Sequence, residues 1–207
     1  MKLNSLKIIP IAALLAVVCC KKEALLEAPL KTTSKIIHAK GFEIVEKKGY
    51  KNLIVKAPYL QTKQATSYHL YKRIPRNTSN VSPLQAIQVP VKNIVVTSTT
   101  HIPMVELLQS ENTLVGFPNG QYISSERTRK LLDAGKITEV GKENSLNTEI
   151  LLDLHPDLVV GFSVTSADKS LTTLQKAGIN VIYNGDWLEE TPLGRAEWIK
   201  FFGVLLD

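Results

Sequence analysis

Polar and aromatic side chains follow three short apolar runs in the second half of the chain, at the points where buried parallel strands would end. The carboxyl ends of parallel strands meet at one edge of an open sheet, and ligands of such sheets bind outside that edge. Hydroxyl, imidazole, carboxylate and indole groups can hydrogen-bond to or stack against a small molecule there. The sequence therefore predicts one wall of a ligand cleft, formed by Thr99, Thr100, His101, Ser163, Asp186 and Trp187.

Spacings typical of enzymes and metal sites are not found in the sequence. His38, His69, His101 and His155 lie far apart without an HExxH or Cys-His pattern, so no metal site is predicted. No Gly-x-Ser-x-Gly elbow positions a serine nucleophile, and residues 135–143 depart from the spacing of a Walker loop. We therefore expect no enzymatic activity and no cofactor.

The N-terminus has a pattern typical of export. Lys2 and Lys7 precede an apolar run that ends at Cys19 and Cys20, as in a cleavable signal peptide over residues 1–19. The run is shorter than the roughly 20 apolar residues that a membrane-spanning helix needs. Cysteines at this position resemble the lipobox of bacterial lipoproteins, whose N-terminal cysteine is acylated after cleavage. An ordinary secretory signal with two incidental cysteines is the alternative.

Cys20 is the favoured attachment site, because cleavage before it leaves the small Cys19 at the preceding position. Cleavage before Cys19 would leave Val18 there, and Cys19 is the alternative site. We expect an exported protein, held by its lipid on the cell membrane and facing the periplasm or the cell exterior.

The positive charge is concentrated near the N-terminus. Residues 21–76 carry thirteen Lys or Arg against four Asp or Glu, whereas residues 77–207 carry ten against fifteen. Basic residues behind a lipid anchor are attracted to anionic headgroups. Because no aromatic platform, recognition helix or basic groove motif is present, no nucleic-acid partner is predicted.

The elements that must position the cleft residues fall into four parts. Residues 20–40 are polar and without periodicity, as in a lipidated flexible tether. Residues 41–90 form a β-rich extension, with a hairpin turn at 47–50 and a loop over 73–90. Residues 91–190 alternate between strands and helices, which predicts an α/β lobe with a doubly wound, mostly parallel sheet. A helix follows over 191–207.

Within these parts, apolar runs and capping residues locate individual elements. The predicted strands are 42–46, 53–55, 68–71, 93–97, 114–117, 158–162 and 180–183. The predicted helices start after the capping hydroxyls of residues 98–100, span 124–134, 147–154 and 166–177, and start again after Thr191.

Three ordered segments carry a family resemblance. They are VVTSTTH at residues 95–101, residues 135–141, and NTEIL at 147–151 followed by PDLV at 156–159. Together they resemble the N-terminal lobe of the iron-siderophore and vitamin B12 periplasmic-binding family. The resemblance implies a substrate-binding lipoprotein of an ABC importer, which captures an iron-siderophore, haem or cobalamin and delivers this iron chelate, haem or corrinoid to a membrane permease.

The resemblance also assigns two residues. Tyr122 falls in the cleft-side loop of the family and joins the ligand-binding set. Glu149 matches the N-lobe glutamate that docks onto permease arginines. An acidic residue in a first helical turn also favours the helix macrodipole by about 0.3–1 kcal/mol, which is the alternative reading of Glu149.

Length separates this sequence from the family, whose members join two lobes by one long helix. The sequence supplies the first lobe and the start of that interlobe helix, with the C-lobe absent, so we expect a truncated or fragment form; a short but complete protein is the alternative. The apolar residues of the last helix are then expected to lack a second lobe to cover them: Trp198, Phe201, Phe202, Leu205 and Leu206. The other functional alternatives are an exported α/β enzyme of unrelated activity and an inert truncated remnant.

Overall fold

The computed structural model describes residues 35–60, 62, 64–75, 82–142, 145–164 and 166–207. Residues 33–207 belong to one compact unit. The predicted signal peptide, Cys19, Cys20 and most of the predicted tether lie outside the described residues, so these predictions stay predictions. In the described part of the chain, no helix is both long and apolar enough to span a bilayer.

The first sheet has four strands: β1 (Phe42–Lys47), β2 (Tyr50–Val55), β3 (Thr66–Tyr71) and β4 (Ala86–Gln88). β1, β2 and β3 are antiparallel neighbours, and β4 adds to β3 in parallel. Gly49 has a φ of +91°, a conformation that glycine adopts without strain, and it closes the predicted β1–β2 hairpin. The loop predicted over residues 73–90 is wrong in part, because Ile87 of β4 is 1% exposed and belongs to the core.

The second sheet has five parallel strands: β5 (Ile94–Val96), β6 (Leu114–Phe117), β7 (Thr138–Glu139), β10 (Leu158–Gly161) and β11 (Val181–Tyr183). A small antiparallel ribbon of β8 (Gly141–Lys142) and β9 (Ser145–Leu146) lies between β7 and the next helix in the chain. The strand order is β11-β10-β5-β6-β7, so the chain builds outward from β5 to β7 and then continues on the other side of β5. The predicted doubly wound α/β fold class is confirmed.

In the residues that the structure describes, six α-helices connect or follow these strands: α1 (His101–Leu107), α2 (Glu126–Asp133), α3 (Thr148–Leu154), α4 (Lys169–Lys176), α5 (Pro192–Glu197) and α6 (Ile199–Leu206). The side chains of Ser125, Asn147, Asp168 and Thr191 accept hydrogen bonds from first-turn N–H groups of α2 to α5. α4 begins later than its predicted start at 166, because Asp168 is its cap. Thr100 stands at the N-cap position of α1, but its side chain makes no capping bond.

The second sheet is covered on both faces. On one face its valines pack against α3 and α4, in a cluster that includes Val95, Val159, Val181, Leu151 and Leu171. The other face packs against the first sheet, α1 and α6, in a larger cluster that includes Ile94, Val160, Phe42, Leu53 and Phe202. The two sheets therefore share one hydrophobic core, which holds the edge of the second sheet in place.

The apolar face of α6 lies inside that core. Trp198, Phe201, Phe202 and Leu205 are each 0% exposed. The rings of Trp198 and Phe201 lie 4.6 and 6.2 Å from the ring of Phe42, between centroids. The expectation that these residues lack cover is wrong, because the first sheet supplies it. The predicted helix after Thr191 is also divided, with α5 and α6 meeting at Trp198.

Two buried glutamates hold the first described residues. The Glu197 carboxylate accepts hydrogen bonds from the backbone N–H groups of Ile37, His38 and Ala39, at 2.6–3.0 Å. Glu189 accepts from the N–H groups of Lys40 and Gly41 and from Trp198 Nε1. Burial would raise the pKa of Glu197, but the Lys200 ammonium and the three N–H groups outweigh it and lower the pKa to about 2. No role was predicted for Glu189 or Glu197 from the sequence.

Candidate functional site

The ends of β5 and β10 are joined at the point where the strand order reverses. The backbone N–H of Thr97 donates to the carbonyl of Val160 at 3.1 Å, and the backbone N–H of Phe162 donates to Thr97 Oγ1 at 2.8 Å. Thr97 is 4% exposed. Open α/β sheets bind ligands in the crevice at such a reversal. The structure therefore defines the carboxyl edge of the second sheet as the candidate site, with a role for Thr97 that the sequence analysis missed.

A hollow of about 270 Å³ opens at this edge beside β5 and β6. Asn119 has a left-handed φ of 50°, and its backbone N–H donates to the Gly141 carbonyl at 2.9 Å. This turn leads into Tyr122, whose side chain is 60% exposed. Two residues predicted to bind ligand, Thr99 and Tyr122, both line this hollow. Its full lining is Thr97, Thr99, Phe117, Pro118, Asn119 and Tyr122.

An aromatic pair lies after β10 and β11. The rings of Phe162 and Trp187 meet edge to face, with centroids 5.8 Å apart, and both side chains are half-buried. The predicted residue Ser163 is also half-buried, and its hydroxyl donates to the carbonyl of Ser166. The predicted residue Thr100 is exposed next to Thr99. None of these residues lines the hollow beside Tyr122, so they form a second part of the edge.

His101 and Asp186 lie beneath the edge. His101 is 0% exposed and Asp186 is 4% exposed, with 3.9 Å between His101 Nε2 and Asp186 Oδ1. The backbone N–H of Asp186 donates to Asn184 Oδ1 at 2.8 Å. Burial lowers the pKa of His101 to about 4, while the Asp186 carboxylate and the Asn184 amide oppose this shift, so the ring is neutral at pH 7.

This buried cluster holds polar atoms that have no hydrogen-bond partner among the described residues. They are both ring nitrogens of His101, Nδ2 of Asn184, Oδ1 of Asp186 and Nε1 of Trp187. Buried polar atoms that lack protein partners commonly bind ordered water. The side chains of His101 and Asp186 are therefore buried and do not reach the surface of the edge. The side chains of Thr99 and Tyr122 are exposed there.

Glu149 lies at the rim of the same edge, beyond β7. The backbone N–H of Asn147 donates to the carbonyl of Val140, directly after β7, at 2.9 Å. Asn147 Oδ1 then accepts from the N–H groups of Glu149 and Ile150 at 3.1 Å each. Since Asn147 already caps α3, the carboxylate of Glu149 is not needed as a cap. The Glu149 side chain is exposed.

A larger hollow of about 480 Å³ lies at the opposite edge, around the amino ends of β10 and β11. Its lining includes Asp153, His155, Asp157, Gly178 and Asn180. Although this hollow is larger, we do not assign the ligand site to it, because ligands of open parallel sheets bind at the carboxyl edge. No group of three or more His, Cys, Asp or Glu residues is placed to hold a metal ion in the described parts of the chain.

Curated relatives match the chain over part of its length. No protein-family model matches it. Two uncharacterized lipoproteins of Methanocaldococcus jannaschii are 27% identical over 129 residues and 32% identical over 127 residues. Each match covers 59% of this chain, and 31% and 32% of the respective relative. The chain thus spans about a third of the length of the curated relatives it matches.

Solved structures resemble the chain over part of its length. The haem-binding protein HutB of Vibrio cholerae has a TM-score of 0.42 at 22% identity, over 55% of this chain and 42% of its own. The petrobactin-binding protein YclQ of Bacillus subtilis has a TM-score of 0.47 at 19% identity, over 75% and 45%. CeuE of Helicobacter pylori, with Ni(II) bound, has a TM-score of 0.46 at 26% identity, over 59% and 39%. The resemblance inferred from the sequence is confirmed as a partial similarity.

Proposed function

We propose that this chain is the substrate-binding lipoprotein of an ABC importer, which captures an iron-siderophore, haem or cobalamin and delivers it to a membrane permease. The observation that carries this proposal is the reversal of strand order between β5 and β10, with polar and aromatic side chains at its carboxyl edge. The partial similarity to periplasmic binding proteins and to lipoproteins is in keeping with it.

In this proposal the ligand contacts two surfaces of the carboxyl edge, one polar and one aromatic. Thr99, Asn119 and Tyr122 offer hydroxyl and amide groups around the hollow, which can orient a polar chelate. Phe162 and Trp187 offer aromatic rings to a planar or apolar ligand. In this proposal Thr100 and Ser163 flank these groups as further contacts.

In this proposal the buried residues His101 and Asp186 position the loops that carry the ligand contacts. His101 begins α1, directly after the loop that carries Thr99, and Asp186 precedes Trp187. Their proximity links the loop after β5 to the loop after β11. We therefore assign both residues to positioning these loops, in place of the direct ligand contact expected from the sequence.

Delivery requires two further attachments. Cys20 is proposed to carry the lipid that keeps the protein at the membrane, and the lipoprotein names of the two archaeal relatives support this. Glu149 is proposed to dock onto the permease, because it is exposed at the rim of the edge and is not needed to cap α3. A carboxylate there can form a charge-assisted bond with an arginine.

Ligand titration tests the capture step. Calorimetry of the purified chain with a ferric hydroxamate siderophore, haemin and cyanocobalamin is expected to show binding of one probe. Tyr122→Ala and Trp187→Ala should weaken that binding roughly tenfold or more, as expected of central aromatic contacts. Leu152→Ala is the matched control, because Leu152 is 37% exposed and lines the hollow at the opposite edge. No binding of any probe, or equal losses in all three variants, would contradict the proposal.

A further inference from the structure

Cations are concentrated at one end of the first sheet. Lys47 and Lys48 occupy the β1–β2 turn, and Lys51 follows on β2. The pairing of Lys51 with Leu70 places Lys72 and Arg73 beside the same turn. We name these five residues the basic end. Four of them are exposed, and Lys51 is half-buried.

The positive charge of the basic end is only partly balanced by nearby acids. None of the five forms an ion pair with a described residue, whereas Lys56 pairs with Glu43 at 2.5 Å near the other end of β1. Among the described residues, acids lie nearby at Glu46, which is paired across the ladder with Lys51, and at Asp207. Like charges that lie close together repel, so this cluster suits an anionic partner better than it suits the isolated domain.

Apolar and aromatic groups accompany these cations. Lys47, Lys51 and Lys72 line a hollow of about 330 Å³ together with Leu70, Val89 and Val204. Tyr50 also lines it, and its ring stacks on His69 with centroids 4.7 Å apart. Tyrosines and long cationic side chains are the groups that favour the interface between water and lipid.

The basic end lies on the side of the molecule opposite the candidate cleft. The backbone N–H of Val91, which precedes the amino end of β5, donates to the carbonyl of Leu205 at 2.8 Å. Val204 borders the hollow of the basic end. The basic end therefore adjoins the amino ends of the second sheet, whereas Thr99 and Tyr122 lie at the carboxyl edge.

We propose that the basic end contacts anionic lipid headgroups and seats the unliganded protein on the membrane with its carboxyl edge turned toward the medium. The proposal rests on the proposed lipid anchor and ligand edge. Lys and Arg side chains close to a membrane are attracted to its anionic headgroups, so the basic end adds an electrostatic contact to the lipid anchor. In this pose the edge is open to arriving ligand, and docking of Glu149 onto a permease requires release of the basic end.

Vesicle binding of the predicted mature chain without its acylated cysteine, residues 21–207, tests this proposal. This form retains the whole compact unit of residues 33–207 and both core clusters. Co-sedimentation is measured with phosphatidylcholine vesicles that contain about 30% phosphatidylglycerol, and with vesicles of phosphatidylcholine alone. Binding is expected only to the anionic vesicles, and it should fall as salt is raised.

The test variant is Lys47→Glu/Lys48→Glu/Lys72→Glu, and the matched control is Lys130→Glu/Lys136→Glu/Lys169→Glu, which makes the same change in net charge at exposed sites elsewhere. The test variant should bind at least about tenfold more weakly, since each cation near an anionic surface is worth roughly a fivefold change, and the control should lose less than about threefold. Circular dichroism verifies that both variants are folded.

Equal losses in the two triple variants, or equal binding to neutral and anionic vesicles, would overturn the proposal. Inorganic phosphate added at constant ionic strength should leave vesicle binding unchanged; its abolition by phosphate would instead identify a site for the free anion. Because this form carries no lipid and the assay contains no ligand, the outcome is independent of acylation at Cys20 and of the identity of the transported ligand.

Discussion

His101 shows how burial changes the role expected of a residue. Its position after a strand predicted a ligand contact, but the residue is fully buried against Phe202, with ring centroids 5.4 Å apart. Its pKa of about 4 lies below the ordinary value of 6.5, so the unfolded chain takes up the proton more readily between these two values. Stability is therefore expected to fall as the pH falls through that window.

Urea unfolding of the wild type and of His101→Gln between pH 7 and pH 5 measures this effect. Because one pKa unit corresponds to about 1.4 kcal/mol, the wild type should lose up to about 2 kcal/mol more than the variant over this range. An unchanged slope in His101→Gln would show that the buried ring does not determine the pH dependence.

Cys20 is the residue on which membrane attachment depends in this account. Metabolic labelling with a clickable fatty acid should label the wild type and Cys19→Ala, and Cys20→Ala should remove the label. Label that survives Cys20→Ala but is lost in Cys19→Ala would assign the lipid to Cys19. The absence of label from the wild type would remove the lipoprotein proposal.

Substitution of Glu149 distinguishes a role in permease docking from a role in stabilising α3. If it docks, Glu149→Arg should abolish uptake of the bound probe by cells that express the protein with its permease, while the affinity for the probe stays the same. If it only favours the macrodipole, the change should cost about 0.3–1 kcal/mol in the free energy of unfolding and leave uptake intact. Asp153→Arg, at an exposed acid in the last turn of α3, is the matched control and should transport normally.

The candidate site was predictable in part. The apolar runs before Thr99 and Trp187 located the carboxyl edge, because buried parallel strands have a recognisable pattern. Tyr122 came from the family resemblance, and it lies at the hollow beside Thr99. Asn119 and Thr97 were missed, because their roles depend on a left-handed turn and on a contact across two strands that are distant in the sequence.

At the scale of elements, the two glutamates beside α5 determine how the first described residues join the fold. Glu197→Ala leaves three backbone N–H groups without their charged acceptor, and hydrogen bonds to charged groups contribute about 1.5–3 kcal/mol. The variant should lose at least about 1.5–3 kcal/mol in the free energy of unfolding, the contribution of one such bond, and the amides of residues 37–39 should exchange faster with deuterium. Glu190→Ala, at an exposed carboxylate, should change the free energy of unfolding by less than about 0.5 kcal/mol. Unchanged amide exchange in Glu197→Ala would contradict the assignment.

Elements with an apolar run or a cap were predictable, and four short strands without an apolar run were not. α3 and β6 have their predicted bounds to within a residue, because Asn147 caps the helix and Leu114 begins an apolar run. β4, β7, β8 and β9 have two or three residues each, which is too few to show a period of two. Their pairing is determined by neighbouring strands, and a single sequence does not reveal it.

At the scale of the whole molecule, the shared core was the least predictable feature. The apolar face of α6 was evident, but its partner was expected to be a second lobe. The structure instead covers it with Phe42 and the rest of the first sheet. Amphipathic patterns indicate that a face is buried, and they do not identify the element that buries it.

Hydrogen–deuterium exchange of the purified chain, with and without the probe that binds it, shows whether the ligand binds at the carboxyl edge. Binding there should protect the loops after β5, β6, β10 and β11, which carry Thr99, Tyr122, Ser163 and Trp187. The larger hollow at the opposite edge, which contains His155 and Asn180, provides an internal control and should remain unchanged. Protection at that opposite edge, with none at the carboxyl edge, would contradict the assignment of the ligand site.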